Sequence, residues 1–276
     1  MDRITVDGDI LRFTQIPGQG FFSCCTIHLQ GILKYVNEYG KLPRLVDSTG
    51  QFQFYKTPET WTRDIKSDYF ESDVHGLDIM VQAEHPVKVT HQPVEEQYSD
   101  YRYLNFAALK TFIQRYFSPA TTIRALASAF CVKYHMNLEK TCVLFYRGND
   151  KVTETPLPSY EHYMNIAREL LDIHPDLRIW VQSDETEFLE AMAAAFPDNH
   201  AIFYDEIRHM PCNPETTVDK VFHHQNAEMS KNYLAITYLM SQCKYVVCGS
   251  GNCSLWIALL RGNADGMVQF CAQKPA

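Results

Sequence analysis

Arg147-Gly148-Asn149-Asp150-Lys151 places a guanidinium, an amide, a carboxylate and an ammonium within five positions. The cluster follows at once on Cys142–Tyr146, a continuous apolar run of the kind that forms a strand buried on both faces of a parallel sheet. Ligands of open α/β sheets bind just beyond the carboxyl ends of the strands, where such a cluster would stand. A guanidinium there suits a phosphate, because its planar fork gives two parallel charge-assisted hydrogen bonds to one anion. The plainer reading is a solvated turn with a surface ion pair.

A second stretch offers the complementary chemistry. Gly249-Ser250-Gly251-Asn252-Cys253-Ser254 follows the apolar run Tyr245–Cys248 and opens a helical pattern. A glycine-rich strand-to-helix turn presents unpaired N–H groups and the positive end of a helix dipole, and Ser250, Asn252 or Ser254 can add side-chain bonds. Simple helix capping by Ser or Asn is the alternative. Two further apolar runs end in acids, at Ser183-Asp184-Glu185 and at Asp205-Glu206. On one edge of a parallel sheet these four ends converge, and a diphosphate site becomes the better reading. The Gly-Lys-Ser/Thr signature of a Walker P-loop is missing.

The elements that must position these clusters are legible as an alternation. Residues 10–13, 42–47, 142–146, 178–182, 201–204, 245–248 and 266–270 read as strands. Helical spacing fills about 21–39, 101–117, 121–136, 159–173, 186–195, 226–241 and 254–260. Strand–helix alternation with short connections predicts a doubly wound parallel sheet in the second half, and Ser118-Pro119 marks a boundary between 1–118 and 119–276. Gly18-Gln19-Gly20 is a glycine turn into the first helix, too short for a dinucleotide fingerprint. Residues 48–98 show no period; their aromatics, prolines and acids suit a binding loop or a plain connection.

The chain has 276 residues, 46% apolar and 21% charged, with a formal net charge of −8. Its length allows one large or two small domains, and its acidity with no dense basic stripe argues against nucleic acid. Nine cysteines without knuckle spacing read as mostly buried free thiols of a reducing compartment. No signal-type or bilayer-length apolar run is visible, which predicts a cytoplasmic chain or a piece of a larger one. His223-His224 lacks matching carboxylates and reads as loop, not metal site. Trp180 and Trp256 read as packing residues, and Trp61 as packing or an acceptor-sugar platform.

Taken together, Tyr146–Val152 with Glu154 and Tyr160–Met164, then Val181–Glu185 with Phe188-Leu189, then Tyr238–Asn252, resemble the three motifs of the GDP-fucose-dependent α1,6-, α1,2- and protein O-fucosyltransferases. The resemblance covers about residues 140–262 in order and spacing. It implies a GT-B-like architecture of two Rossmann-like lobes, an acceptor-side lobe 1–118 and a donor-binding lobe 119–276. It further implies an inverting, metal-independent transfer of L-fucose from GDP-fucose to a glycan hydroxyl. By position, Arg147 matches the arginine on the donor diphosphate, Asp150 and Lys151 the pair after it, and Asp184 the second-motif acid, with Glu185 and Asn149 beside them. Gly251, Asn252 and Cys253 match the polar contacts of the third motif, and Ser250 and Ser254 flank them. Glu154 falls one place from the family's acid near the transferred sugar. It is the candidate base, with Asp73, Asp47 and His75 as alternatives. Two positions depart from the pattern: the paired arginine is Arg147-Gly148, and the helix before the third motif has Ala235-Ile236-Thr237 where an acid commonly reads guanine. A non-catalytic nucleotide- or glycan-binding module is the alternative function.

Overall fold

The computed structural model describes residues 4–14, 18–71 and 97–271. Two sheets organise them. The smaller has three strands, β1 (Ile4–Asp7), β2 (Ile10–Phe13) and β3 (Leu45–Asp47). β1 was not evident from the sequence. It folds back antiparallel on β2 with Asp7 opposite Ile10, and the turn needs Gly8 at φ 59°. β2 and β3 are parallel, joined by α1 (Phe21–Tyr39), which stops at Gly40 in the left-handed conformation.

The larger sheet has five strands, all parallel: β4 (Thr141–Tyr146), β5 (Arg178–Ser183), β6 (His200–Ile202), β7 (Tyr245–Gly249) and β8 (Met267–Phe270). Their order is β6-β5-β4-β7-β8. From β4 the chain first winds outward through β5 and β6, then crosses back to lay β7 on the other side of β4. The connections therefore diverge between β4 and β7, and that switch point opens a crevice beyond their carboxyl ends. All six residues of β4 are buried, as expected of a central strand covered on both faces. The expected doubly wound α/β class is the observed one.

The remaining helices are α2 (Phe106–Tyr116), α3 (Thr121–Lys133), α4 (Tyr160–Ile173), α5 (Thr186–Ala195), the single turn α6 (Val218–Val221), α7 (Asn226–Met240) and α8 (Asn252–Arg261). α2 is shorter than its periodicity suggested. Residues 101–103 form a separate 3-10 turn, and Asn105 caps the helix by accepting the Ala108 N–H at 3.1 Å. β6 ends at Ile202, short of the expected Tyr204, whose side chain is exposed.

Residues 48–71 form three 3-10 turns held by two charged side chains. Asp64 accepts from the Ser48 N–H and hydroxyl, and Lys56 donates to the carbonyls of Thr49, Trp61 and Arg63. Their aromatics Phe52, Tyr55, Tyr69 and Phe70 pack around Phe21 of α1. This part of the aperiodic stretch is mostly core, with Phe54 also reaching the crevice at the switch point. Pairing of 118–120 with 69–71 brings the chain back, and one contiguous core runs through both sheets. All nine cysteines are free thiols. Among the described residues no helix is long and apolar enough to cross a membrane.

Candidate functional site

A cleft of roughly 590 Å³ opens at the switch point. One wall is the Gly18–Ser23 entry to α1, and the floor is the turn after β4. The turn from β7 into α8 and residues 217–220 complete it. Arg147, Asp150, Lys151 and Glu154 line it together with Ser250, Gly251, Asn252, Cys253 and Ser254. The two clusters separated by a hundred residues of sequence do converge, because β4 and β7 are neighbours in the sheet.

Arg147 leaves the end of β4 and lies across the cleft floor, 27% exposed. Its Nε stands 3.1 Å from Asp184 Oδ2, an ion contact whose N–H is not aligned on the oxygen, so both atoms lack a true hydrogen bond. Its outer nitrogens reach Asp150 at 3.4 Å and the Cys253 thiol at 3.7 Å. Burial opposes the guanidinium charge, yet Asp184 and the other groups around it outweigh that cost and raise its pKa. Arg147 is a fixed cation.

Lys151 is the second cation. Its Nζ pairs with Glu154 and lies 4.9 Å from the centre of the Tyr98 ring. A Cβ on Gly251 would come within 3.2 Å of that Nζ, so glycine lets the ammonium approach the backbone of the β7–α8 turn. Two positive side chains thus face the N-terminal end of α8, a ten-residue helix. Their negative neighbours differ. Burial foremost raises the pKa of Asp150, with Arg147 pulling the other way and Asp184 and Glu154 pushing with it. Burial also opposes ionisation of Glu154, but the charge and hydrogen bond of Lys151 and a 2.8 Å bond from Tyr98 bring its pKa below the ordinary value.

The other expected residues sit behind the wall. Asn149, Asp184 and Glu185 are buried and do not line the cleft. Asn149 adopts a left-handed φ of 50°, which Asn tolerates. Its side chain donates to the Asp184 carbonyl and accepts from the Asn213 N–H. Asp184 accepts the Gly148 N–H at 3.0 Å, and Glu185 accepts the Asn149 N–H and the Tyr160 hydroxyl. A Cβ on Gly148 would overlap the Glu185 carboxylate. A side chain at 148 would need the Glu185 carboxylate to move.

In the β7–α8 turn the neutral side chains are already engaged. Asn252 accepts from Thr26 at 2.8 Å and donates to Ser23 at 3.1 Å, bridging α8 to α1. Ser254 meets the Tyr101 hydroxyl at 2.9 Å, and Ser250 donates to the Phe270 carbonyl. Cys253 keeps its thiol toward the cleft, where the Tyr233 hydroxyl donates to it at 2.7 Å.

Asp205 and Glu206 do not join the cleft; both pair with Lys133 of α3. Asp47 is elsewhere as well, accepting the Thr49 N–H at 3.0 Å. Asp73 and His75 lie outside the described residues. The rings of His223 and His224 stand nearly perpendicular, and no metal-ligating cluster occurs among the described residues. Trp61 is half exposed and does not line the cleft. Sequence reasoning missed Gln97, Tyr98, Tyr101 and Tyr233, all of which touch the two clusters. The only sequence signal for the first three was the density of tyrosine on either side of residue 100, and Tyr233 had none.

The switch point and its cation-lined crevice define a doubly wound α/β protein with the cleft between its two sheets. Solved structures similar to it are fucosyltransferases. The α-1,6-fucosyltransferase NodZ of Bradyrhizobium, co-crystallised with GDP, aligns with a TM-score of 0.49 at 13% identity over 91% of each chain. POFUT1 in complex with GDP-fucose aligns at 0.41 and 11% identity over 95% of this chain and 74% of its own. Arabidopsis thaliana FUT1 aligns at 0.37 and 11% identity over 94% of this chain and 50% of its own. No protein-family profile and no curated protein matches the sequence.

Proposed function

We propose that this chain is a glycosyltransferase that moves a sugar, L-fucose by the resemblance of its motifs, from a nucleoside diphosphate such as GDP to a glycan hydroxyl. The observation that carries the reading is the pairing of Arg147 and Lys151 with the N-terminal end of α8 at one switch point. As the bond from the sugar C1 to the β-phosphate oxygen breaks, its electron pair leaves on the diphosphate. Fixed guanidinium and ammonium groups with helix N–H donors stabilise that charge without reorganising. This is the work a metal does in other transferases, and the reading therefore needs none.

The acceptor oxygen attacks C1 from the opposite face and inverts it, while its proton passes to a carboxylate. Glu154 is the proposed base. Its bonds from Lys151 and Tyr98 hold it ionised, which keeps it able to accept a proton but lowers its strength. The same two bonds favour the second reading, a binding module that holds the nucleotide and transfers nothing.

Thermal unfolding with GDP, UDP, ADP and CDP, with and without Mg²⁺, tests the site. A ligand at about a hundred times its dissociation constant adds roughly 2.7 kcal/mol. Stabilisation by GDP alone, indifferent to Mg²⁺ and lost in Arg147→Ala, is the expected result. A UDP preference discards fucose; no shift with any nucleotide discards the reading. Turnover of GDP-fucose against a glycan panel, abolished in Glu154→Gln, then separates transferase from binding module.

A further inference from the structure

The N–H groups that open α8 and the Lys151 ammonium are covered by three residues of the chain itself, within the segment 97–101. Gln97 is buried, and its side-chain oxygen accepts the Asn252 N–H at 3.1 Å. The Tyr101 hydroxyl accepts the Gly251 N–H at 3.2 Å. Tyr98, between them, donates to Glu154 and lays its ring against the Lys151 ammonium. The segment is anchored at its far side, where Gln269 accepts the Tyr101 N–H and donates to the Ser99 carbonyl.

With the Lys151 ammonium also donating to the Tyr98 hydroxyl at 3.4 Å, three oxygens of residues 97–101 sit on the donors that an anion would use. They are neutral, and each is a weaker acceptor, for a helix N-terminal N–H or for an ammonium, than a phosphate oxygen carrying charge. Tyr101 is fully buried and also bonded to Ser254, so it is part of the framework. Gln97 and Tyr98 both line the cleft and reach its donors with side chains that can rotate away without moving the backbone. We propose that Gln97, with Tyr98 beside it, is an internal occupant of the diphosphate position, which the ligand must displace from the Asn252 N–H and from Lys151. The inference rests on the reading of the cleft as a diphosphate site. It makes Gln97 a residue that sets the threshold of donor affinity, and it makes release of Glu154 by Tyr98 part of ligand entry.

Titration calorimetry with inorganic pyrophosphate and with GDP tests it, on the intact chain and on Gln97→Ala, Gln97→Glu and Tyr103→Ser. Removing a competing hydrogen bond should tighten binding to Gln97→Ala by about three- to tenfold. Gln97→Glu places a full negative charge on the same N–H and should weaken binding by at least as much. Tyr103, exposed on the same turn, should be neutral. Hydrogen exchange of residues 97–101 should rise when pyrophosphate is added. A residue that merely supports the turn would weaken binding in both Gln97 variants, and one that contacts the ligand would gain protection; either result overturns the proposal. Binding by the unaltered chain with no change in Gln97→Ala overturns it while leaving the diphosphate site standing. Absence of binding in every protein overturns both.

Discussion

The turns after β4 and β7 flank one crevice but use their side chains in opposite ways. After β4 the charged groups Arg147, Asp150, Lys151 and Glu154 face the cleft, and the neutral Asn149 is turned inward as a bracket. After β7 the neutral groups Ser250, Asn252 and Ser254 are tied to other elements, and what faces the cleft is backbone N–H, held by Gln97 and Tyr101, and one thiol. The difference follows from desolvation. A charge is costly to bury and stays at an opening unless paired, whereas a hydroxyl or amide is readily satisfied inside by one or two partners. In these two turns charge separates the fates, while at the end of β5 the charged Asp184 and Glu185 are buried because N–H and hydroxyl donors, and for Asp184 the Arg147 cation, meet them.

Arg147→Ala should have the largest effect, because it breaks both uses of the first turn. It leaves Asp184, 7% exposed, without its cation. Removing one partner of a buried pair typically costs about 3–5 kcal/mol. Melting temperature should fall well below that of the unaltered chain, and GDP should no longer raise it. Arg147→Lys, which keeps the charge and loses the fork, should recover most of the stability and less of the binding. Full binding in Arg147→Ala would remove the first turn from the site.

The second turn gives the contrasting case. Thr26 is buried and holds both Asn252 and the Trp256 indole N–H, at 2.8 and 2.9 Å. Thr26→Val leaves those polar groups unsatisfied at about 1–3 kcal/mol. Calorimetry should show the melting temperature lowered and GDP affinity unchanged within about twofold, since the lost bonds only join α1 to α8. A large loss of affinity would mean that Asn252 acts on the ligand and that the two turns are alike. Gly148→Ala probes the other side of the first turn, toward the end of β5, at about 1–3 kcal/mol, because its methyl would overlap Glu185. Combining it with Glu185→Ala should cost less than the sum of the two, a coupling that denaturant titration can measure. Simple additivity would deny that a side chain at 148 and Glu185 share one space.

These contrasts also explain what could be read in advance. β4 was legible because six buried residues in a row leave no other reading, and Arg147 because a charge at its end must find the opening. Their meeting with the β7 turn was legible from alternation alone, since parallel strands put their carboxyl ends on one edge. The roles of Ser250, Asn252 and Ser254 were not, because their partners Phe270, Thr26 and Tyr101 are remote in sequence and chosen by packing. Gln97 and Tyr98 were hidden for the same reason. Aromatics such as Phe52 and Tyr69 gave no period because they pack around one helix end rather than along a face. β1 and the break before α2 depended on single residues, Gly8 and Asn105, whose turn and cap act locally against the broader pattern.

Asp150 gives the smallest and most specific test of the charged turn. Burial raises its pKa, so between the unfolded and folded values the native chain holds a proton that the unfolded chain has released. Stability contributed by the acid form is therefore present at low pH and lost as pH rises through the folded value. Asp150→Asn, which stays neutral, should match the unaltered chain at the acid end and gain on it above that window. A diphosphate brought to Arg147 and Lys151 adds negative charge beside Asp150 and pushes in the same direction, so binding should be accompanied by proton uptake. The ratio of GDP affinities, Asp150→Asn over the unaltered chain, should then exceed one at neutral pH and fall toward one on acidification. Taking the ratio cancels the protonation of the nucleotide itself, which both proteins share. Calorimetry in two buffers of different ionisation enthalpy reads the proton directly. A ratio that stays constant across the range would mean that the anion sits away from the β4 turn, and the cleft would then be organised around the backbone of α8 alone.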